Sequence, residues 1–128
     1  IYAENKKGAL QTMTNALYEA GINIWGSVTN DGAEYGINRM VVSDPEKAKE
    51  VLTEKGYLCR FVDVLAVEIE DKPGALNTLL TALLDSNVNV DYTYLSFNRD
   101  SSTPVMILHT ADPEEVEICL KAKGFKMC

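Results

Sequence analysis

The sequence predicts an α+β chain of two ferredoxin-like βαββαβ modules in tandem, each a four-stranded antiparallel sheet with two helices on one face. Three observations lead there. A short motif occurs twice: Glu4-Asn5-Lys6-Lys7-Gly8-Ala9-Leu10 is answered by Glu70-Asp71-Lys72-Pro73-Gly74-Ala75-Leu76, an offset of 66 positions. The echo continues through Gly21-Ile22-Asn23-Ile24 with Asn87-Val88-Asn89-Val90, and through Asp44-Pro45-Glu46 with Asp112-Pro113-Glu114, where the offset is 68. Within each copy, the hydrophobic period switches between that of a strand and that of a helix in the same order. An internal repeat decides domain count, so the chain is read as modules 1–64 and 65–128 of 128 residues.

The elements follow in order. Ile1-Tyr2-Ala3 reads as the end of a strand, matching Val67-Glu68-Ile69. The chain starts without Met, so a few residues are expected ahead of it. Leu10, Met13, Leu17 and Ala20 recur on one helical face, and Gly21 supplies the left-handed stop. Ile22 to Val28 alternates as a strand, and Asn30-Asp31-Gly32 signals a hairpin. Tyr35 to Val42 returns. Ser43-Asp44-Pro45-Glu46 opens a second helix with a cap, a first-turn proline and an acid at its positive end. Ala48, Val51 and Leu52 face inward and Gly56 ends it. Tyr57 to Glu70 is strand-rich and is expected to hold the last strand of one module and the first of the next. The second copy repeats the plan. Leu76, Leu79, Leu80 and Leu83 form the helix stripe; Val88, Val90, Tyr92 and Tyr94 alternate; Asn98 to Pro104 makes a longer polar turn. Val105 to Thr110 returns, Asp112 to Lys123 is helical, and Phe125 to Cys128 begins a final strand.

Composition narrows the function classes. Hydrophobic content of 46% with 24% charged residues suits a globular, core-forming chain. Net charge of −7 argues against nucleic acid, whose phosphates are neutralised by Lys and Arg. An RNA-recognition module shares the element order, but it needs basic charge and stacking aromatics that Tyr35 to Val42 does not supply. Cys59, Cys119 and Cys128 are odd in number and widely spaced, which suggests free thiols in a reducing cytoplasm rather than a disulfide framework. No apolar run is long enough for a transmembrane helix, and no signal peptide is visible. A module of about 60 residues buries only about 60% of its unfolded surface, so the copies are expected to pack on each other or on a second chain.

A strand, a turn ending in Gly8-Ala9-Leu10, a helix, then Gly21-Ile22-Asn23-Ile24 opening the next strand: this pattern resembles the ACT domain family, and Pro73-Gly74-Ala75-Leu76 with Val88-Asn89-Val90 resembles it again. The resemblance spans both copies. It implies a regulatory module that binds amino acids and pairs side by side into a continuous sheet, with ligands near the module interface. Matched residue by residue, the implied ligand contacts are Asn5, Gly8, Ala9, Leu10 and Asn23 in the first copy. In the second they are Asp71, Gly74, Ala75, Leu76 and Asn89. The chemistry is sound: a glycine lets the backbone approach a ligand, and a helix N-terminus suits a carboxylate. Asp71 departs from asparagine; it favours an ammonium and repels a carboxylate. Lys7 stands where proline is frequent in the family and loosens the turn.

Each of these residues also has a plain structural role. Asn5 and Asp71 suit helix caps, Asn23 and Asn89 suit local backbone bonding, and Gly8 and Gly74 suit the turn itself. Trp25, Tyr92 and Tyr94 read as sheet packing. His109 is the only histidine and reads as structural, since no second base, nucleophile or metal ligand accompanies it in sequence. No metal spacing, phosphate loop or nucleophile elbow is present. The sequence therefore points to a non-enzymatic, cofactor-free regulatory protein that binds a free amino acid between or beside its modules and signals to a partner enzyme or within a homodimer. The alternative is a ligand-free assembly protein whose modules only pair with an enzyme or with themselves.

Overall fold

The computed structural model describes residues 1–4, 8–30, 35–97 and 103–127, with the backbone alone for 2–4 and 35. Asn5, the centre of the Asn30-Asp31-Gly32 hairpin, most of the Asn98 to Pro104 turn and Cys128 lie outside the described residues. The chain divides into two compact units, Ile1–Phe61 and Val62–Cys128.

Unit one holds β1 (Tyr2–Glu4), α1 (Ala9–Glu19), β2 (Ile24–Asn30), β3 (Tyr35–Val42) and α2 (Pro45–Glu54). Unit two holds β4 (Leu65–Glu68), α3 (Ala75–Asp85), β5 (Tyr92–Phe97), β6 (Pro104–His109) and α4 (Pro113–Ala122). Both sheets are antiparallel and put the third strand of the unit in the middle, in the orders β1-β3-β2 and β4-β6-β5.

The two cores are built at equivalent positions. In unit one, Met13, Ala16 and Leu17 of α1 meet Ala48 and Leu52 of α2, with Ile22 and Val42. In unit two, Leu79 and Leu83 of α3 meet Val116 and Leu120 of α4 over Leu65, Val67, Met106 and Leu108. The helices end as their sequences require. Gly21 takes φ 74° after α1, and its counterpart Asn87 takes φ 58° after α3. In both, the next amide bonds back into the helix, Ile22 to the Leu17 carbonyl and Val88 to the Leu83 carbonyl.

Three expectations need correction. Among the described residues, neither sheet has four full strands. The last segment of unit two contributes one bridge, Met127 against Val67, with the Glu68 amide donating to the Lys126 carbonyl at 2.9 Å. After α2, Tyr57 and Cys59 pack inward while Leu58, Phe61 and Val62 stay exposed, and only Leu58 reaches a bridging position. The side chains there follow the strand period, but there are too few backbone partners for a ladder. Next, β5 begins at Tyr92 rather than Val88, because β6 stops at His109, the residue opposite Tyr92. Val88 and Val90 still pack on the core without a strand neighbour. Lastly, Leu10, Leu76 and Leu80 are exposed rather than inward-facing. Leu10 and Leu76 sit in first helical turns above short strands, and Leu80 is rotated off the buried Leu79–Leu83 line. Among the described residues, no helix is long and apolar enough to cross a membrane.

Candidate functional site

The two glycine turns are close copies in space. Gly8 has φ 84° and ψ −4°; Gly74 has φ 85° and ψ −5°. Each is the N-cap of its helix, and its carbonyl accepts both the amide and the hydroxyl of the threonine four residues on. For Thr12 the distances are 3.0 and 2.9 Å; for Thr78 they are 2.9 and 3.0 Å. A left-handed backbone is what selects glycine here, since a Cβ at either site would meet nothing within 4 Å. The space beside each glycine is therefore open.

Among the described residues, no side chain caps α1 or α3 at these glycines. Asp71 is exposed and does not act as the helix cap its type suggested. In its turn, the Lys72 amide donates to the Glu70 carbonyl and the Lys72 ammonium pairs with the Glu70 carboxylate. The hydrogen bond and charge of Lys72 hold the Glu70 carboxyl below its ordinary range. Ala9, Leu10, Ala75 and Leu76 form the first turns of α1 and α3, directly beside the glycines.

Asn23 and Asn89 lie elsewhere. Asn23 is exposed just before β2, where its amide donates to Ser43 Oγ and its carbonyl accepts from the Ser43 amide, both at 2.9 Å. That end of the sheet is marked by the pair Ile24 and Val42. The glycine turn leaves the opposite end, where Glu4 pairs with Tyr35. Asn89 likewise sits before β5, beyond His109, while the Gly74 turn follows the end of β4 opposite Val105. Within one unit, the fold does not bring the asparagine and the glycine turn together.

His109 is held in place. Its Nδ1 meets Asp91 Oδ2 at 2.9 Å, and the Tyr92 ring stacks on it at 4.8 Å with the planes 4° apart. Tyr92 also stacks with Tyr94 at 6.3 Å. Cys59 is partly buried, its thiol directed at the Tyr57 carbonyl, and burial pushes that thiol up; this is the reverse of what a nucleophilic cysteine needs. Among the described residues, no group of three or more His, Cys, Asp and Glu side chains is placed to hold a metal.

Sequence reasoning missed Asn38. It lies in the middle of β3, only 2% exposed, and its Nδ2 donates to Ser27 Oγ at 3.0 Å and Thr29 Oγ1 at 2.8 Å. Its Oδ1 is buried without a hydrogen-bond partner. The available signal was the repeat itself: the 68-position offset sets Asn38 against Met106, a polar residue against an apolar one on the core side.

Known proteins agree with this architecture. A family model described as an ACT domain pair matches residues 1–125. Protein BT0572 from Bacteroides thetaiotaomicron is similar in structure with a TM-score of 0.89 and 28% identity, over 100% of this chain and 88% of that one. The aspartokinase alpha and beta subunits share the fold at a TM-score of 0.59 and 15% identity, over 92% of this chain and 84% of theirs. No curated protein matches. With two glycine turns of one geometry, each opening a helix over an antiparallel sheet, and a family match across nearly its whole length, the chain belongs to the ACT domain pair family.

Proposed function

We propose that the protein is a regulatory module that binds a free amino acid at its ACT-type turns and transmits occupancy to a partner chain. The observation that carries this is the repeated turn: a left-handed glycine, open space beside it, and a helix start with no side-chain cap among the described residues. A carboxylate suits that position because the first-turn amides and the helix dipole both favour negative charge. The modules are taken as 1–64 and 65–128, with Asn5 or Asp71 beside the glycine and Ala9–Leu10 or Ala75–Leu76 lining the helix start. Asn23 and Asn89 lie at the other end of each sheet and form a contact separate from the turn. The two turns are not equivalent, since Asp71 puts an exposed carboxylate where the first copy has Asn5. Signalling follows by linkage: a ligand that prefers one arrangement of the protein raises its population. The role is non-catalytic, and a reducing cytoplasm suits the free Cys59 and Cys119.

The test is a thermal-shift screen against all twenty amino acids. A ligand at 100 times its Kd stabilises by about 2.7 kcal/mol, a shift of several degrees at this size. Asn5→Ala is expected to remove the response of the first site; an unchanged affinity would place that site elsewhere.

A second reading has its own observation. Leu76, Leu80 and Leu84 are exposed along one line of α3, Leu84 at 76%. Such a stripe favours a role in pairing with an enzyme or with a second copy. A stable co-purifying partner, with no response to any amino acid, is the result that reading expects.

A further inference from the structure

The buried orphan on Asn38 has no counterpart at Met106, the equivalent position of unit two. Register identifies the equivalent positions. Asn38 pairs with Thr29, as Met106 pairs with Leu95; Ser27 pairs with Met40, as Thr93 pairs with Leu108; Ala3 pairs with Gly36, and the Ile69 amide reaches the Pro104 carbonyl. Unit two thus carries Ile69, Leu95 and Met106 where unit one carries Ala3, Thr29 and Asn38. Met106 lies within the apolar core of its unit, and Ile69 packs against it. At Asn38 and Thr29 the same side of the sheet in unit one is smaller and polar, with Asn38 opposite Ile1, where β1 begins its run toward the Gly8 turn.

Buried polar groups in folded proteins are nearly always partnered. Here both amide hydrogens of Asn38 are used by Ser27 and Thr29, and the carbonyl is left over. The two hydroxyls, having accepted from Asn38, still have protons to donate. The group that completes this set donates one hydrogen bond to Asn38 Oδ1. It is uncharged, because an ion would give up its hydration to meet only neutral partners.

We propose that unit one holds a polar subsite centred on Asn38, Ser27 and Thr29 that accepts a neutral amino-acid side chain bearing an N–H or O–H donor. This rests on the amino-acid-binding reading above and adds its selectivity. Unit two, with Met106 and Leu95 in the same places, lacks the subsite.

The experiment is calorimetric titration of the full chain with near-isosteric pairs: glutamine against glutamate, threonine against valine, histidine against phenylalanine. The donor-bearing neutral member of at least one pair is expected to bind at least about tenfold tighter than its analogue, as a site built for a hydrogen bond discriminates. Asn38→Met, which copies unit two, is expected to erase that preference. Thr29→Val changes only an exposed edge residue and keeps the test open if Asn38→Met folds poorly; it should weaken the preference. Tighter binding of valine, phenylalanine or glutamate overturns the subsite while leaving amino-acid binding intact. So does a preference that survives both substitutions, which would mean that water alone serves Asn38. Absence of binding by every amino acid removes the underlying reading and the subsite with it.

Discussion

Unit one and unit two share a backbone plan and differ in what they bury. The turns at Gly8 and Gly74 agree within a degree in φ and ψ, and the paired core positions Leu17 and Leu83 are both sealed from solvent. Yet the middle strand of one sheet carries Asn38 and the other carries Met106. The turn geometry follows from local chain stereochemistry, which glycine satisfies in any context. The sheet's inner face depends on long-range neighbours and is free to diverge. A repeat therefore keeps its joints and varies its lining.

That comparison can be broken or sharpened by substitution. The largest effects belong to the shared cores. Leu17→Ala and Leu83→Ala should each cost about 2–5 kcal/mol, read by urea denaturation. A loss at one position and not the other would show that the units do not rely on equivalent cores. Next comes the reciprocal exchange. Met106→Asn places an amide among Val67, Leu79 and Leu108 and should cost about 1–3 kcal/mol or more. Asn38→Met removes an unsatisfied carbonyl and should be neutral or stabilising in the ligand-free protein. Equal losses from both would contradict the asymmetry.

The glycine turns should respond alike. Gly8→Ala and Gly74→Ala each force a Cβ into the left-handed region, at about 1–2 kcal/mol, with no clash to add. The helix caps should not. Asp44 accepts from the Lys47 amide at 3.2 Å, whereas Asp112 caps nothing. Asp44→Ala should then cost about 1 kcal/mol and Asp112→Ala almost nothing, by the same melts.

The smallest effect is electrostatic. Lys72 holds the Glu70 carboxyl below its ordinary value of 4.5. A lowered carboxylate stabilises the fold above that ordinary value, and the contribution is lost as pH falls through the lowered one. Glu70 is fully exposed, so the effect is small and screened by salt. Lys72→Met should raise the Glu70 titration midpoint in NMR without moving the melt at pH 7.

Much of this was legible in the sequence. The four helices, the repeat and the left-handed stop at Gly21 follow from period and glycine chemistry. Leu10 and Leu76 misled because a helical stripe does not say where the sheet beneath it ends. Val88 and Val90 misled because alternation reports which side chains face the core, while a strand also needs a neighbour, and β6 stops at His109. Asn38 was silent because a buried amide is defined by Ser27 and Thr29 across the sheet, and no local motif announces them.

Asn38 also bears on how the chain sorts its own strands. Two units of like plan, joined in one polypeptide, invite exchange during folding, with β3 taking the place of β6. In that misassembly Asn38 would stand opposite Val67 and Leu95, beneath Leu79 and Leu83. It would keep its burial and lose one hydroxyl partner, since Leu95 stands where Thr29 does while Thr93 takes the place of Ser27. The same amide that leaves one acceptor open in the native protein thus makes the wrong partner the costlier one, and biases each strand toward its own sheet.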